Sequence, residues 1–506
     1  MHRFGPLRGD GSGAWMIQGT GSGVGKSLIV AGLCRLLARR GVRVAPFKAQ
    51  NMALNAAVTP DGREIGRAQA FQAEAAGIAP HVDMNPILLK PTGDAESQVV
   101  VLGEVVDRLS AQQYYRGFAD RLAIVRDAYD RLAARFDCVI LEGAGSPAEI
   151  NLRDRDLVNM RMAAHARAPV WIVADIDRGG VFASIKGTFD LLTDDERAMV
   201  DGFVINRFRG DVTLLMPGIE MLRAHVPRSV HAVLPWLHDL DVDEEDAPGV
   251  APVRAAADEL DVAVLRLRRI ANFTDFRPLT REPGVRLRYV EDVRSLGDPD
   301  LLILPGTKST TADLAWLTAS GLAERVAARI ARGGATFGVC GGYQMLGVEI
   351  ADAAGVDGPC GVAQGFGALP IVTTMAATKT TVPFVGSTVA TAIAPGGVSV
   401  VGYEIHMGRT ELVGANATDV TPLFAGASAT LGLVRNDGVV AGAYVHGCFD
   451  GDAFRGAILD WARRRRGLPE RGSSLDYAAH RAAQLDRLAD WLEANVAALR
   501  PLASRG

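Results

Sequence analysis

Cysteine is scarce, odd in number and unpatterned. Cys34, Cys138, Cys340, Cys360 and Cys448 are the five in 506 residues, and no two stand in Cys-x-x-Cys spacing. That argues against a disulfide scaffold and a cysteine-built zinc site, and it fits a reducing compartment. No apolar run approaches the roughly 18 residues of a membrane span, and the first residues lack the hydrophobic core of a signal peptide. The expected location is the cytoplasm, with no membrane partner. Excess charge is missing too: the net charge is -4, so there is no basic field of the kind nucleic-acid binders carry, and none is expected as a partner. An anionic ligand would have to be met by local arginines. Aromatics make up only 6% of the chain, but apolar residues reach 48%, enough for a sizeable core and against disorder.

The length calls for two or three domains. Apolar strand-like runs alternate with amphipathic helical stretches: Ala14–Ile17 then Ser27–Arg39, followed by Arg43–Pro46, Cys138–Leu141, Val170–Ala174, Gly202–Ile205 and Ala232–Leu234. Continuous apolar runs of this kind are buried parallel strands, so the fold class is α/β with mostly parallel sheets. The acidic, Pro- and Ala-rich stretch from Asp239 to Glu259 breaks the rhythm, which places a linker at 241–259. A second series follows: Asp261–Leu267, Val285–Tyr289, Leu301–Leu304, Ala335–Val339 and Val439–Tyr444. Ser473–Ser504 reads as helical throughout, with Leu475, Leu485, Leu488, Trp491, Leu492 and Val496 as a packing surface. The expected division is 1–240, the linker, 260–465 and a C-terminal helical segment at 466–506. There is no internal repeat.

Gly19-Thr20-Gly21-Ser22-Gly23-Val24-Gly25-Lys26-Ser27 follows a strand and opens a helix, the setting of a phosphate-binding loop. Backbone N–H groups from Gly21 to Ser27 can converge on phosphate oxygens, Lys26 can reach the β/γ-phosphates and the Ser27 hydroxyl can ligate Mg²⁺. Strict GxxxxGK[ST] spacing would put glycine at position 20, which is Thr20 here. Glu142 ends the Cys138–Leu141 run before glycines, where a carboxylate could hold Mg²⁺ directly or through water. Asp175, Asp177 and Arg178 close the next run in the same way. Lys48, just past Arg43–Pro46, stands where it could neutralise a transferring phosphoryl group, or it is an ordinary surface lysine.

In the second half, Cys340 sits in Phe337-Gly338-Val339-Cys340-Gly341-Gly342-Tyr343-Gln344, a strand entering a tight glycine turn with a helix just beyond. A helix N-terminus aimed at a thiol favours thiolate, so Cys340 is either a nucleophile or a buried structural cysteine. The base would be His446, which closes an apolar run at a glycine, with His406 as competitor. Backbone N–H groups at Gly341 and at Gly306, in the Leu304-Pro305-Gly306-Thr307 strand end, would form the oxyanion site.

On these motifs, residues 261–455 resemble a class I glutamine amidotransferase domain, with Gly338–Gln344 as nucleophile elbow, Leu304–Gly306 as oxyanion loop and His446 as general base. That family usually has Glu two residues after the histidine, whereas this chain has Cys448. The departure is similar to the cobyrinate-amidating branch and leaves the group orienting His446 open, with Asp450 and Glu404 as candidates. The phosphate loop is of the dethiobiotin-synthetase type, and the whole chain resembles the cobyrinate-amidating family. Strings that carry the likeness are Lys48–Asn55, Glu64–Gln69, Asn85–Pro91, Asp175–Gly180, Asn206–Asp211 and Tyr403–Arg409.

The resemblance implies two doubly wound, mostly parallel-sheet domains, a P-loop synthetase and a flavodoxin-like amidotransferase, with a helical C-terminal tail. It implies a carbon–nitrogen ligase of cobalamin biosynthesis that uses glutamine, ATP and Mg²⁺, with no tightly bound prosthetic group. The corrinoid carboxylates amidated would be b, d, e and g of adenosylcobyrinic acid a,c-diamide. The branch that makes the a,c-diamide and a cell-wall lipid amidating relative are alternatives; a P-loop regulatory ATPase with a degenerate amidotransferase module is a distant one. Substrate contacts would come from Gln50, Asn51, Asn55, Asp175, Arg178, Arg207 and Arg209, since arginine forks pair with carboxylates. A homo-oligomer is compatible with all of this.

Overall fold

The structure, a computed structural model, describes residues 13–92, 96–242, 258–357, 360–497 and 499. They divide into two compact units. The first takes the described parts of Met1–Ala53, Ile65–Val242 and Arg481–Gly506; the second takes Leu54–Glu64 and the described parts of Asp243–His480. Most of the expected linker, 243–257, lies outside the described residues.

The first unit is built on a six-stranded sheet in the order Ser229–Pro235, Val200–Phe208, Val170–Asp175, Gly13–Gly19, Cys138–Glu142, Val44–Phe47. Every pairing is parallel. The central strands are buried along nearly their whole length, which is why they read as unbroken apolar runs. Pro46 is tolerated because its strand is the sheet edge, where a missing N–H costs no ladder bond. Because Gly13–Gly19 lies between Val170–Asp175 and Cys138–Glu142, three strand ends open beside the loop that follows Gly19. Such a reversal of strand order is where open sheets bind ligands.

A second sheet in this unit, in the order Gln50–Met52, Ile87–Pro91, Glu96–Val101, Glu104–Ser110, was not visible as a run of strands because its members are short and mixed in polarity.

The second unit has a seven-stranded sheet in the order Val285–Val290, Leu260–Leu265, Leu301–Leu304, Thr336–Val339, Val440–Ala443, Gly432–Arg435, Val420–Pro422. The first five are parallel and the last two antiparallel. A long antiparallel hairpin, Ile371–Ser387 with Ser399–Leu412, heads a separate sheet. Both sheets carry helices, so the mixed α/β class with mostly parallel main sheets holds. No described helix is long and apolar enough to cross a membrane.

The C-terminal helix is shorter than expected, Tyr477–Asn495. Ser473–Leu475 is drawn instead onto a buried ion pair, Arg455 Nε to Glu282 Oε2 at 2.9 Å. Ser474 N–H donates to Glu282 Oε1 at 2.7 Å and the Leu475 carbonyl accepts from Arg455 at 2.7 Å. Backbone groups spent on that pair cannot close helical turns. Within the first unit, Leu485, Leu488, Leu492 and Val496 are buried, and the helix covers Lys26–Arg39 so closely that a Cβ at Gly32 would lie 2.5 Å from Leu492 Cδ1. Arg35 pairs with Asp486 at 2.8 Å, and Arg39 with Asp490 at 2.6 Å. The apolar stripe is packing surface, as its spacing indicates. Leu488→Ala should cost about 2–5 kcal/mol in urea unfolding by emptying that contact, whereas truncating the exposed Glu493 side should cost under about 1 kcal/mol.

Candidate functional site

In the first unit the chain leaves Gly13–Gly19, turns through the glycine loop and starts the helix Lys26–Arg39. The turn demands glycine at position 25, which has φ +98° and where a Cβ would lie 2.3 Å from Asn206 Nδ2. Asn206, from the neighbouring strand, donates to the Val24 carbonyl at 2.9 Å and so pins the loop. Lys26 Nζ curls back to the carbonyls of Gly21 at 2.8 Å and Gly145 at 3.1 Å.

Behind the loop, Glu142 is fully buried and surrounded by donors. Ser27 Oγ and Lys48 Nζ both donate to Oε1 at 2.8 Å, and Gln72 Nε2 donates to Oε2 at 2.5 Å. Burial alone would push this carboxyl up. Lys48 and the hydrogen bonds from Lys48, Gln72 and Ser27 outweigh it and hold it below its ordinary value. An anionic carboxylate beside a hydroxyl is a hard-oxygen pair that fits Mg²⁺. No group of three or more His, Cys, Asp or Glu side chains among the described residues could hold a metal unaided. A divalent ion would therefore take most ligands from phosphates and water.

Asp175 ends the next strand, accepts from Arg207 Nη1 at 2.8 Å and lies 3.8 Å from Arg178 Nε. Arg209 pairs with Asp177 at 3.0 Å and lies 3.8 Å above the Trp236 ring. Gln50 accepts from the Tyr114 hydroxyl, and Asn51 donates to Gln69 at 3.2 Å. These candidates share the first unit, but Asn55 belongs to the second, where it is buried with its side-chain oxygen unpartnered.

In the second unit Cys340 follows the central strand Thr336–Val339 at φ +50°, ψ -108°, a strained conformation for a side-chain-bearing residue, with the helix Gly341–Met345 beginning directly after it. Gly342 is required because a Cβ there would fall 2.0 Å from the Leu304 carbonyl of the adjacent strand. Gly341 packs on Thr307, whose hydroxyl sits between the Arg269 carbonyl at 3.0 Å and Asp313 at 2.5 Å. The candidate oxyanion residues Gly306 and Gly341 are thereby held on one side of the elbow. Gly306 also faces His446, since a Cβ on it would lie 2.8 Å from Cε1.

His446 is within hydrogen-bond reach of the Cys340 thiol. The acid behind it is Asp275, a residue the sequence reading did not single out. His446 Nδ1 stands 2.6 Å from Asp275 Oδ2, and Gly447 N–H donates to Oδ1 at 3.0 Å. Asp275 rides on the short 3₁₀ turn Phe273–Phe276, just beyond the carboxyl end of Leu260–Leu265. A carboxylate between two phenylalanines after a buried strand was the available signal. Glu404 is engaged with His406 at 3.2 Å, and His406 stacks on Tyr444. Cys448, where relatives of the amidotransferase type place Glu, is buried, and burial followed by the charges of Asp275 and Asp450 pushes its thiol well up.

Burial lowers the His446 pKa, but Asp275 and Cys340 more than reverse this and raise it to about 10. Because the folded value is raised, its contribution to stability is complete below the unfolded value of about 6.5 and is lost as pH climbs through the folded one. In Asp275→Asn the His446 ring should titrate well below wild type in NMR, because burial then meets less opposition; an unchanged titration would remove Asp275 from this role.

Two family models match. Residues 15–248 match a CobQ/CobB/MinD/ParA nucleotide binding domain and residues 261–454 a CobB/CobQ-like glutamine amidotransferase domain. The cobyric acid synthase of Klebsiella pneumoniae (strain 342) is 50% identical over 494 residues, 96% of each chain. That of Desulforudis audaxviator is 52% identical over 481 residues, 94% of this chain and 96% of its own. That of Sorangium cellulosum is 50% identical over 501 residues, 95% and 96%. With such identity sustained across both matched domains, the chain belongs to the cobyric acid synthase family of glutamine-dependent amide ligases.

Proposed function

We propose that this chain amidates the b, d, e and g side-chain carboxylates of adenosylcobyrinic acid a,c-diamide in cobalamin biosynthesis, drawing nitrogen from glutamine and energy from ATP. The observation that carries the reading is the Cys340–His446–Asp275 arrangement in the second unit of a chain whose first unit bears the Lys26–Ser27–Glu142–Lys48 cluster. The relatives' name supplies the substrate class.

In the glutaminase step, His446 Nε2 takes the Cys340 proton as Sγ adds to the glutamine carboxamide carbon. Asp275, accepting from Nδ1, fixes the tautomer that leaves Nε2 toward the thiol and favours the imidazolium. The oxyanion is met by backbone N–H groups at Gly341 and in the Gly306 loop. Imidazolium then protonates the leaving nitrogen, the C–N bond breaks and ammonia departs. Water, deprotonated by the same histidine, cleaves the thioester to glutamate and restores the thiol.

In the synthetase step, backbone groups of Gly21–Ser27, including Ser22, Gly23, Val24 and Gly25, cradle the ATP phosphates while Lys26 and Lys48 offset charge on the transferring phosphoryl group. Ser27 and Glu142 would hold Mg²⁺, which supplies further charge neutralisation at the phosphates. A corrin carboxylate oxygen attacks the γ-phosphorus and ADP leaves. Ammonia adds to the acyl phosphate and inorganic phosphate departs, a better leaving group than oxide. Arg178, Arg207, Arg209, Asp175, Gln50 and Asn51 are the corrin-contact candidates that share this unit, with Asn55 set apart in the other.

Cys340→Ala should abolish glutamine-driven amidation, by at least about a thousandfold, yet keep the ammonia-driven rate. Lys26→Ala should lose amidation with both nitrogen donors. Mass spectrometry of the corrinoid product should show amides at b, d, e and g; addition only at a and c would favour the a,c-diamide-forming branch.

A further inference from the structure

Leu54–Glu64 lies, in sequence, between the strand Gln50–Met52 and the helix Arg67–Ala75 of the first unit, yet it belongs to the second unit. It is no loose loop. Asn55, Ala56, Ala57, Thr59 and Glu64 are all buried. Glu64 forms a buried ion pair with Lys379 of the long hairpin at 2.5 Å. Gly62, at φ +81°, sits against the Thr381 carbonyl, which a Cβ would approach to 3.1 Å.

At its centre, Ala56 makes two buried hydrogen bonds through its backbone. Its N–H donates to Asn272 Oδ1 at 2.8 Å, and its carbonyl accepts from the Tyr403 hydroxyl at 3.0 Å. Each partner flanks the candidate catalytic histidine. The Tyr403 ring stacks on the His446 ring, centroids 5.6 Å apart at 22°. The backbones of the two residues also exchange hydrogen bonds at 3.0 and 2.9 Å. Asn272, in the left-handed region at φ +54°, starts the turn Phe273–Phe276, and its carbonyl accepts from Asp275 N–H at 3.0 Å. One peptide segment therefore touches both the residue that lies over His446 and the residue that begins the turn carrying Asp275.

We propose that Leu54–Glu64 is a working part of the glutaminase site, with Tyr403 and Asn272 as positioning residues that transmit its placement to His446 and Asp275. This rests on the glutaminase reading above. It means that the amidotransferase fold over 261–454 does not contain its whole site: the stretch that sets the histidine's two flanks is supplied from the sequence of the nucleotide-binding half. The physical requirement is strict, because a histidine serving both thiol and leaving nitrogen must be held within a fraction of an ångström of its working position. Ring stacking restrains its tilt, and the Asn272 turn restrains the carboxylate that sets its rotation.

The test uses the full chain, with glutamine hydrolysis measured as kcat and KM across pH and ammonia-driven amidation measured in parallel. Tyr403→Phe keeps the ring over His446 and removes only the bond to Ala56. Asn272→Ala removes the other bond. Gly62→Val pushes the segment off Thr381 without altering either contact residue. Each should lower kcat for glutamine hydrolysis by about tenfold while KM for glutamine stays within about twofold. Each should also move the alkaline limb of the pH profile toward neutrality as Asp275 and His446 separate, with the ammonia-driven rate retained. Wild-type kcat and pH limb in Tyr403→Phe and Gly62→Val would overturn the inference, and so would parallel loss of the ammonia-driven rate in all of them, which marks a merely structural role. If the unsubstituted chain shows no Cys340-dependent hydrolysis, the glutaminase reading itself falls, and this inference with it.

Discussion

The buried hydrogen bond between Asp275 and His446 depends on, and in turn organises, most of the second unit. A carboxylate taken out of water carries a desolvation penalty of several kcal/mol unless its oxygens are met. Here each one is: Oδ2 by the imidazole and Oδ1 by the Gly447 N–H. The Gly447 N–H is available because the chain turns there at φ +70°, directly after the strand that delivers the histidine. The turn that presents Asp275 is fixed in its turn by Asn272, and the histidine's exposed face by Tyr403. Removing the carboxylate would leave a buried ring without the charge that keeps it protonated.

The first unit solves the same problem with Glu142. It too is a single buried carboxylate at a strand's end, satisfied by donors from three separate segments: Ser27 from the phosphate loop, Lys48 from past the edge strand, and Gln72 from a helix. Lys48 and Glu142 each make the other's burial tolerable. An arriving cation or phosphate competes for partners that are already in place, which is electrostatic preorganisation of the kind that catalysis of phosphoryl transfer needs.

How much of this was legible in the sequence follows from where each signal lies. Cys340, His446 and the loop Gly21–Ser27 announce themselves because a strand, a glycine and a reactive side chain stand side by side in the chain. Glu142 and Asp175 did so for the same reason, and the strand cores were placed within a few residues because buried parallel strands are apolar throughout. Asp275 was missed because its partner is 171 residues away and no local pattern marks it. Gln72 looked like any helical glutamine. The assignment of Leu54–Glu64 to the second unit is a tertiary fact with no local signature, and the Ser473–Leu475 stretch read as helix because the Arg455–Glu282 pair that claims its backbone is likewise remote.

The account's central claim is that nitrogen freed at Cys340 is the nitrogen installed by the ATP-driven half of the same chain. Supplying glutamine labelled with ¹⁵N at the side-chain amide, together with ATP and the corrinoid acid, and reading the mass of each new product amide tests it most directly. The account predicts ¹⁵N in every amide added by the wild-type chain, and none from labelled glutamine in Cys340→Ala supplied with unlabelled ammonia. Product amides that form without label in the wild-type chain, or with label in the Cys340→Ala chain, would contradict it.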